Sequence, residues 1–139
     1  QSILHYSNIL IAHNTVYKPA SGSVRAEFSL DLSNPYLSNI TIKNNIIGQY
    51  FIGDLFTADN TDGVMDYNLF TDSTYTSGNT MNVNSILGDP YFADMTNWNF
   101  DIINTGSPAK GNADPSLKIL YDIDWQPRSS SAPTIGAYE

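Results

Sequence analysis

The chain has no cysteine in its 139 residues, which excludes a disulfide framework and a thiolate metal site and leaves the redox compartment open. Basic residues are scarce: 6 Lys and Arg stand against 14 Asp and Glu, for a net charge of -8. With so few cations there is no basic stripe to neutralise phosphates, and nucleic acid and anionic membrane surfaces are poor partners. No apolar run approaches the ~20 residues needed to cross a bilayer. The longest, Ile9-Leu10-Ile11-Ala12, is only a strand's worth. Charged residues of all kinds are only 14% of the chain, while hydrophobic residues reach 41%, enough for the core of one domain. The balance is made up by Asn, Ser, Thr, Gly and Pro, the residues of frequent turns rather than long helices. The sequence opens on Gln1 without a signal-peptide pattern, so a processed product or excised piece is expected.

What is present is a repeat. Asn8-Ile9-Leu10-Ile11-Ala12-His13-Asn14-Thr15-Val16 aligns with Asn39-Ile40-Thr41-Ile42-Lys43-Asn44-Asn45-Ile46-Ile47, and Asp62 to Phe70 is a weaker third copy. Its aligned asparagines, Asn14, Asn45 and Asn68, lie 31 and 23 residues apart. Such a variable period is what loop insertions produce in a stack of repeats, and the turn-rich Lys18 to Ser23 is one such loop. Apolar residues alternate within each copy, Ile9 with Ile11 and Ile40 with Ile42, and alternate over Val24 to Leu32, so strands are expected. The repeated Asn suits a sharp bend, because Asn tolerates left-handed backbone. Stacked in register, Asn14, Asn45 and Asn68 form a structural ladder of amides. The core expected from this pattern is Ile9, Ile11, Val16, Ile40, Ile42, Ile47, Met65 and Phe70.

After Leu87 the repeat stops. Gly88-Asp89-Pro90 breaks it, Trp98 to Ile102 gives one more strand, and from Asn112 onward no copy appears. The sequence therefore divides into residues 1–88, the repeats, and residues 89–139, a last strand and a cap within the same domain. A cap is needed because the end of a stack exposes core and unpaired edges.

The tail carries four elements in order: Asp89-Pro90-Tyr91-Phe92, Gly106-Ser107-Pro108-Ala109, Asp122-Ile123-Asp124-Trp125-Gln126-Pro127-Arg128 and Ile135-Gly136-Ala137-Tyr138-Glu139. It resembles the C-terminal tails of bacterial secreted pectate-lyase-like proteins, and the Asn-centred repeats resemble their coils. That resemblance implies an all-β fold, a right-handed parallel β-helix of about three coils with a C-terminal cap. It also implies a secreted or cell-surface location and a polysaccharide, commonly an acidic one, as partner. One departure is visible: Trp125 stands where such tails usually carry Gly, and it either packs on the last coil or stands exposed as a sugar platform.

No complete catalytic set is legible, and whether the chain is an enzyme stays open. A lyase needs a cation for the uronate and a base beside it; the candidates for ligand binding are Arg25 and Lys43, together with Trp125. A glycosidase needs paired carboxylates. Asp122 and Asp124 form an Asp-x-Asp but belong to the tail motif, where they are expected to bind Arg128 or backbone amides and build the cap. Ala58 to Gly63 lacks the first ligand of a calcium loop, and His5 and His13 have no third ligand, so no metal and no cofactor is expected. Two rivals to the polysaccharide enzyme or terminal piece remain: a structural solenoid that self-associates, and a pure sugar-binding module using Tyr36, Tyr50, Tyr75 or Trp125. The uncapped N-terminal coil favours a homo-oligomer through that coil, most simply a two-fold dimer.

Overall fold

The computed structural model describes residues 5–17, 36–48, 63–71 and 83–139. Strands β1 (Tyr6–Ala12), β3 (Leu37–Lys43) and β5 (Val64–Asp66) form a parallel sheet in that order. Strands β2 (Thr15–Val16), β4 (Ile46–Ile47), β6 (Leu69–Phe70) and β7 (Ile86–Leu87) form a second parallel sheet. Each copy of the repeat thus gives one layer: a strand, a two-residue corner and a second, shorter strand. The alternation places Ile11, Ile42 and Met65 one above another in register, with Ile42 and Met65 buried. Leu10 and Val64, one residue out of phase, are exposed.

The expected closed right-handed β-helix is not what forms. The strands fall in three separate sheets, the third being an antiparallel pair of β8 (Phe92–Asp94) and β9 (Asn99–Ile102), and no closed solenoid joins them among the described residues. The repeat specifies only one corner, and a single corner joins two walls. Closing a solenoid needs further strand pairing, and the flank is covered instead by chain with almost no regular structure. The strand expected over Val24 to Leu32 and the loop from Lys18 to Ser23 lie outside the described residues.

The corner departs from expectation in one respect. The left-handed residue is the one before each repeated asparagine: His13 (φ 55), Asn44 (φ 59) and Tyr67 (φ 55). That bend turns the next side chain into the layer interface. Asn45 Oδ1 accepts from the backbone N–H and the amide of Asn14, both at 3.0 Å, and Asn68 Oδ1 accepts the same pair from Asn45 at 2.9 and 3.0 Å. Asn45 Nδ2 also donates to Ile11 O at 3.0 Å and Lys43 O at 2.9 Å. Asn45 and Asn68 are buried, so their amides find in one another what water would otherwise supply. A second, exposed stack was missed: Asn39 donates to Asn8, both with positive φ, at the start of the same repeat.

Asn45→Ala is expected to destabilise the chain by about 1–3 kcal/mol, because the Asn14 N–H and the carbonyls of Ile11 and Lys43 lose their partner in a half-buried interface. Chemical denaturation checks it, and a midpoint equal to the parent's removes the ladder from the energetics.

Residues 104–139 run along the flank of the layers and touch each of them. Pro108 lies against Gly88, Asp114 N donates to Asn44 Oδ1 at 2.7 Å, Gly136 N to Asn44 O at 2.8 Å and Ala137 N to Thr15 Oγ1 at 3.1 Å. Ile46 and Leu69 face this segment and are buried with Ile102, Ala109, Ala113 and Ile135 in one apolar cluster. Gly136 is required here on two counts: its φ of 100 is left-handed, and a Cβ would sit 2.6 Å from Ile46 Cδ1. Of the expected core, Ile40, Ile42, Ile47, Met65 and Phe70 are buried. Ile9, Ile11 and Val16, in the first layer, are only half-buried.

Candidate functional site

Where the tail meets the corners, charged and polar groups are buried together. Asn44 Oδ1 accepts from Asp114 N, so the orientation of its amide is fixed. Its Nδ2 then donates to Asp114 O at 3.1 Å and to His13 Nε2 at 2.9 Å. As an acceptor, Nε2 carries no proton, which leaves the proton of neutral His13 on Nδ1. Burial, and secondarily the charge of Arg128, lower the His13 pKa to about 4. Lys43 Nζ reaches Asp114 Oδ2 at 2.7 Å and lies 5.5 Å from the centre of the Tyr67 ring. Burial alone would raise the Asp114 carboxyl, but hydrogen bonds from Lys43 and Ser116 and the Lys43 charge outweigh it and hold it below its usual range.

Arg128 organises the last loop from within. Nη1 donates to Thr134 O at 3.1 Å and Tyr138 O at 3.4 Å, Nη2 to Gly136 O at 2.9 Å, and Glu139 Oε2 lies 3.5 Å away. The Glu139 carboxylate in turn accepts from Ser129 N and Thr134 N. Burial lowers the Arg128 pKa, against the charges of Glu139 and Asp122.

Beyond this dock the tail overhangs the first layer. A groove opens there, floored by Ile11 to Val16 and walled by Ile119, Tyr121, Asp122, Ile123 and Ala137. The overhang exposes Ile119, Leu120 (69%), Tyr121, Ile123 (61%) and Trp125 (79%), five large apolar side chains within seven residues. Scattered exposed hydrophobics need no explanation, but five within seven residues, three of them lining a groove, do. β1 and β2 are edge strands of their sheets among the described residues. Asn14 is exposed, and its Oδ1 receives no hydrogen bond from the described residues, unlike the Oδ1 of Asn45 and of Asn68.

The residues singled out in the sequence have separate fates. Arg25, Tyr50, Tyr75 and residues 58–62 of the Ala58 to Gly63 turn lie outside the described residues. Lys43 is spent on Asp114 and does not front an open cleft. Trp125 is exposed, with left-handed φ 61 and its ring 6.1 Å from that of Tyr121. Asp122 Oδ1 caps the turn by accepting from Asp124 N and Gln126 N, and Oδ2 accepts from Glu139 N. Arg128 takes its carboxylate from Glu139 rather than from Asp122 or Asp124. His5 stacks edge-on with Tyr36, their ring centres 5.2 Å apart. His13, Asn44 and Asp114, which fix the dock, were not anticipated as a group. The legible signal was the left-handed corner, where His, Asn and Tyr align one position before the ladder. A scan of protein-family models, a search of curated proteins and a search of solved structures each find no match to the chain.

Proposed function

We propose that the protein is an interaction module of a secreted or surface protein, binding through its open first layer and the apolar overhang beside it rather than by catalysis. The observation that carries this reading is the run of exposed apolar side chains from Ile119 to Trp125 alongside β1 and β2, edge strands that each pair on one side only among the described residues. Exposed edges and apolar patches together are what proteins hide in a complex. The secreted or surface setting comes from the resemblance of the tail motifs.

The isolated chain is expected to self-associate weakly through this face. Sedimentation velocity over a range of micromolar concentrations should show a rising mean sedimentation coefficient, and Ile123→Glu, on an exposed side chain, should return the chain to monomer without lowering its melting temperature. A parent chain that stays monomeric throughout overturns the reading.

The Tyr121 and Trp125 ring pair favours a second reading, polysaccharide binding by stacking on sugar faces. Asp122 and Asp124 border those rings, while Lys43 and Arg128 are engaged elsewhere, so a neutral glycan suits the surface better than a polyuronate. Affinity electrophoresis in neutral and acidic polysaccharides tests this, with retardation lost in Trp125→Ala as the supporting result.

A further inference from the structure

We propose that the cavity the tail closes over the His13 corner binds a small organic carboxylate, whose oxygens take two N–H donors that the fold leaves without partners. This goes beyond the interaction reading above and does not rest on it.

The cavity has a volume of about 180 Å³, and apart from His13 its lining comes from the tail between Asp114 and Pro133. Three buried side-chain nitrogens or oxygens lack a partner among the described residues, and two of them, His13 Nδ1 and Arg128 Nε, belong to residues that line this one space. Nε2 of His13 accepts from Asn44, so the ring proton is on Nδ1. The carbonyls of Thr134 and Gly136 come near the ring, but they accept from Arg128 and are not in hydrogen-bonding geometry with Nδ1. Both Nη atoms of Arg128 are taken up by the last loop, which leaves Nε as its spare donor. Each residue is only 9% exposed. A buried donor left unmade costs about 1–3 kcal/mol, so two beside one cavity favour an acceptor between them. The cavity far exceeds the roughly 10–15 Å³ that a single water needs.

Charge selects the kind of acceptor. Asp114 borders the cavity, but its carboxylate is engaged by Lys43 Nζ and Ser116 N, and Arg128 is matched by Glu139. Lys118 is exposed at the rim and has no ion pair among the described residues, so one positive charge is in excess. His13, Ile119 and Arg128 also border the groove over the first layer, but Asp122 stands on that side and repels an anion. Pro115, Ile119, Leu120 and Pro133 make much of the cavity wall apolar. A cavity of about 150 Å³ accepts benzene, so a carboxylate carrying a hydrocarbon group of up to roughly that size fits here.

The probe is benzoate, titrated into the chain near neutral pH at fixed ionic strength and followed by the ring signals of the two histidines. The His13 signal should move saturably by about 20 mM, while that of His5, which stacks on Tyr36 and does not line the cavity, stays in place. Benzamide has the same ring without the charge and should bind about tenfold more weakly. Lys118→Asn removes the rim charge with a residue suited to the left-handed φ of 46, and should weaken benzoate about fivefold. His13→Phe keeps a ring but removes the donor, and should weaken benzoate about tenfold, read from the amide signals of Ser129 and Ser130. The benzamide comparison leaves the protein untouched, so a folding defect in His13→Phe does not blur the result. A His13 signal that benzoate does not move assigns the two donors to water and overturns the inference. Equal binding of benzamide, or unaltered binding in His13→Phe, overturns it as well. These readings do not depend on oligomeric state, so the carboxylate site and the interaction face stand or fall separately.

Discussion

Arg128→Met is expected to destabilise the chain by about 3–5 kcal/mol, the cost of removing one member of a buried, hydrogen-bonded charge pair. The side chain is almost wholly buried, and three carbonyls, those of Thr134, Gly136 and Tyr138, converge on it with the Glu139 carboxylate. Met fills a similar volume but donates nothing, so those acceptors lose their partner. Arg128→Lys keeps the charge without the planar fork and should fall between. The loss should be local first, with amide hydrogens of residues 128–139 exchanging faster before those of β3 and β4 do. Equal protection in parent and variant, or a stability change below about 1 kcal/mol, would show that the loop holds by apolar packing alone.

Stability should also fall as the pH drops from 6.5 towards 4, by up to about 3 kcal/mol. His13 is neutral in the fold, with a pKa lowered from 6.5 to about 4. Above pH 6.5 neither state binds the proton; between those values the unfolded chain binds it and the folded chain does not, which favours unfolding. Below about 4 both are protonated and the slope from His13 ends. The groups around the ring are Arg128 and Glu139 on the tail, with Asp114 and Lys43 across Asn44. Asp114 does not confuse the window, since its pKa is held below 3.8 and its contribution is lost only as the pH falls through that lower value. His13→Gln should flatten the slope, measured by chemical denaturation at a series of pH values. Arg128→Met should shift the lower limit upward, because no guanidinium then opposes the imidazolium. An unchanged slope in His13→Gln assigns the acid sensitivity to other groups.

The layers were legible because their physics is local. Two-residue alternation of Ile40 with Ile42 sets which face is buried, and an Asn recurring in one place in each repeat sets which residues stack. The closed solenoid expected from the resemblance does not form among the described residues, because one corner motif does not say how many walls follow it. What covers the flank depends on contacts between Asp114 and Asn44, 70 residues apart, and between Ala137 and Thr15, 122 apart. No periodicity reports pairs at that range. Asp122 and Asp124 were expected to bind Arg128 or backbone amides; Asp122 takes the backbone amides of Asp124, Gln126 and Glu139, while Arg128 takes the carboxylate of Glu139, a partner that no spacing in the tail points to. His13 looked incidental in the sequence because its partners, Asn44 and the Arg128 loop, come together only in the fold.

The flank seal has a consequence for the nascent chain. Ile46 and Leu69 are buried against Ile135, Ala109 and Ala113, and the first layer is tied to Ala137. During synthesis the layers emerge well before the residues that cover them, and contacts of such long sequence separation form slowly. For that interval the apolar side of β4 and β6 is a surface for whatever the cell offers, a chaperone or another half-made chain. A ribosome that stalls after Leu87 therefore releases not a smaller version of this protein but an adhesive one.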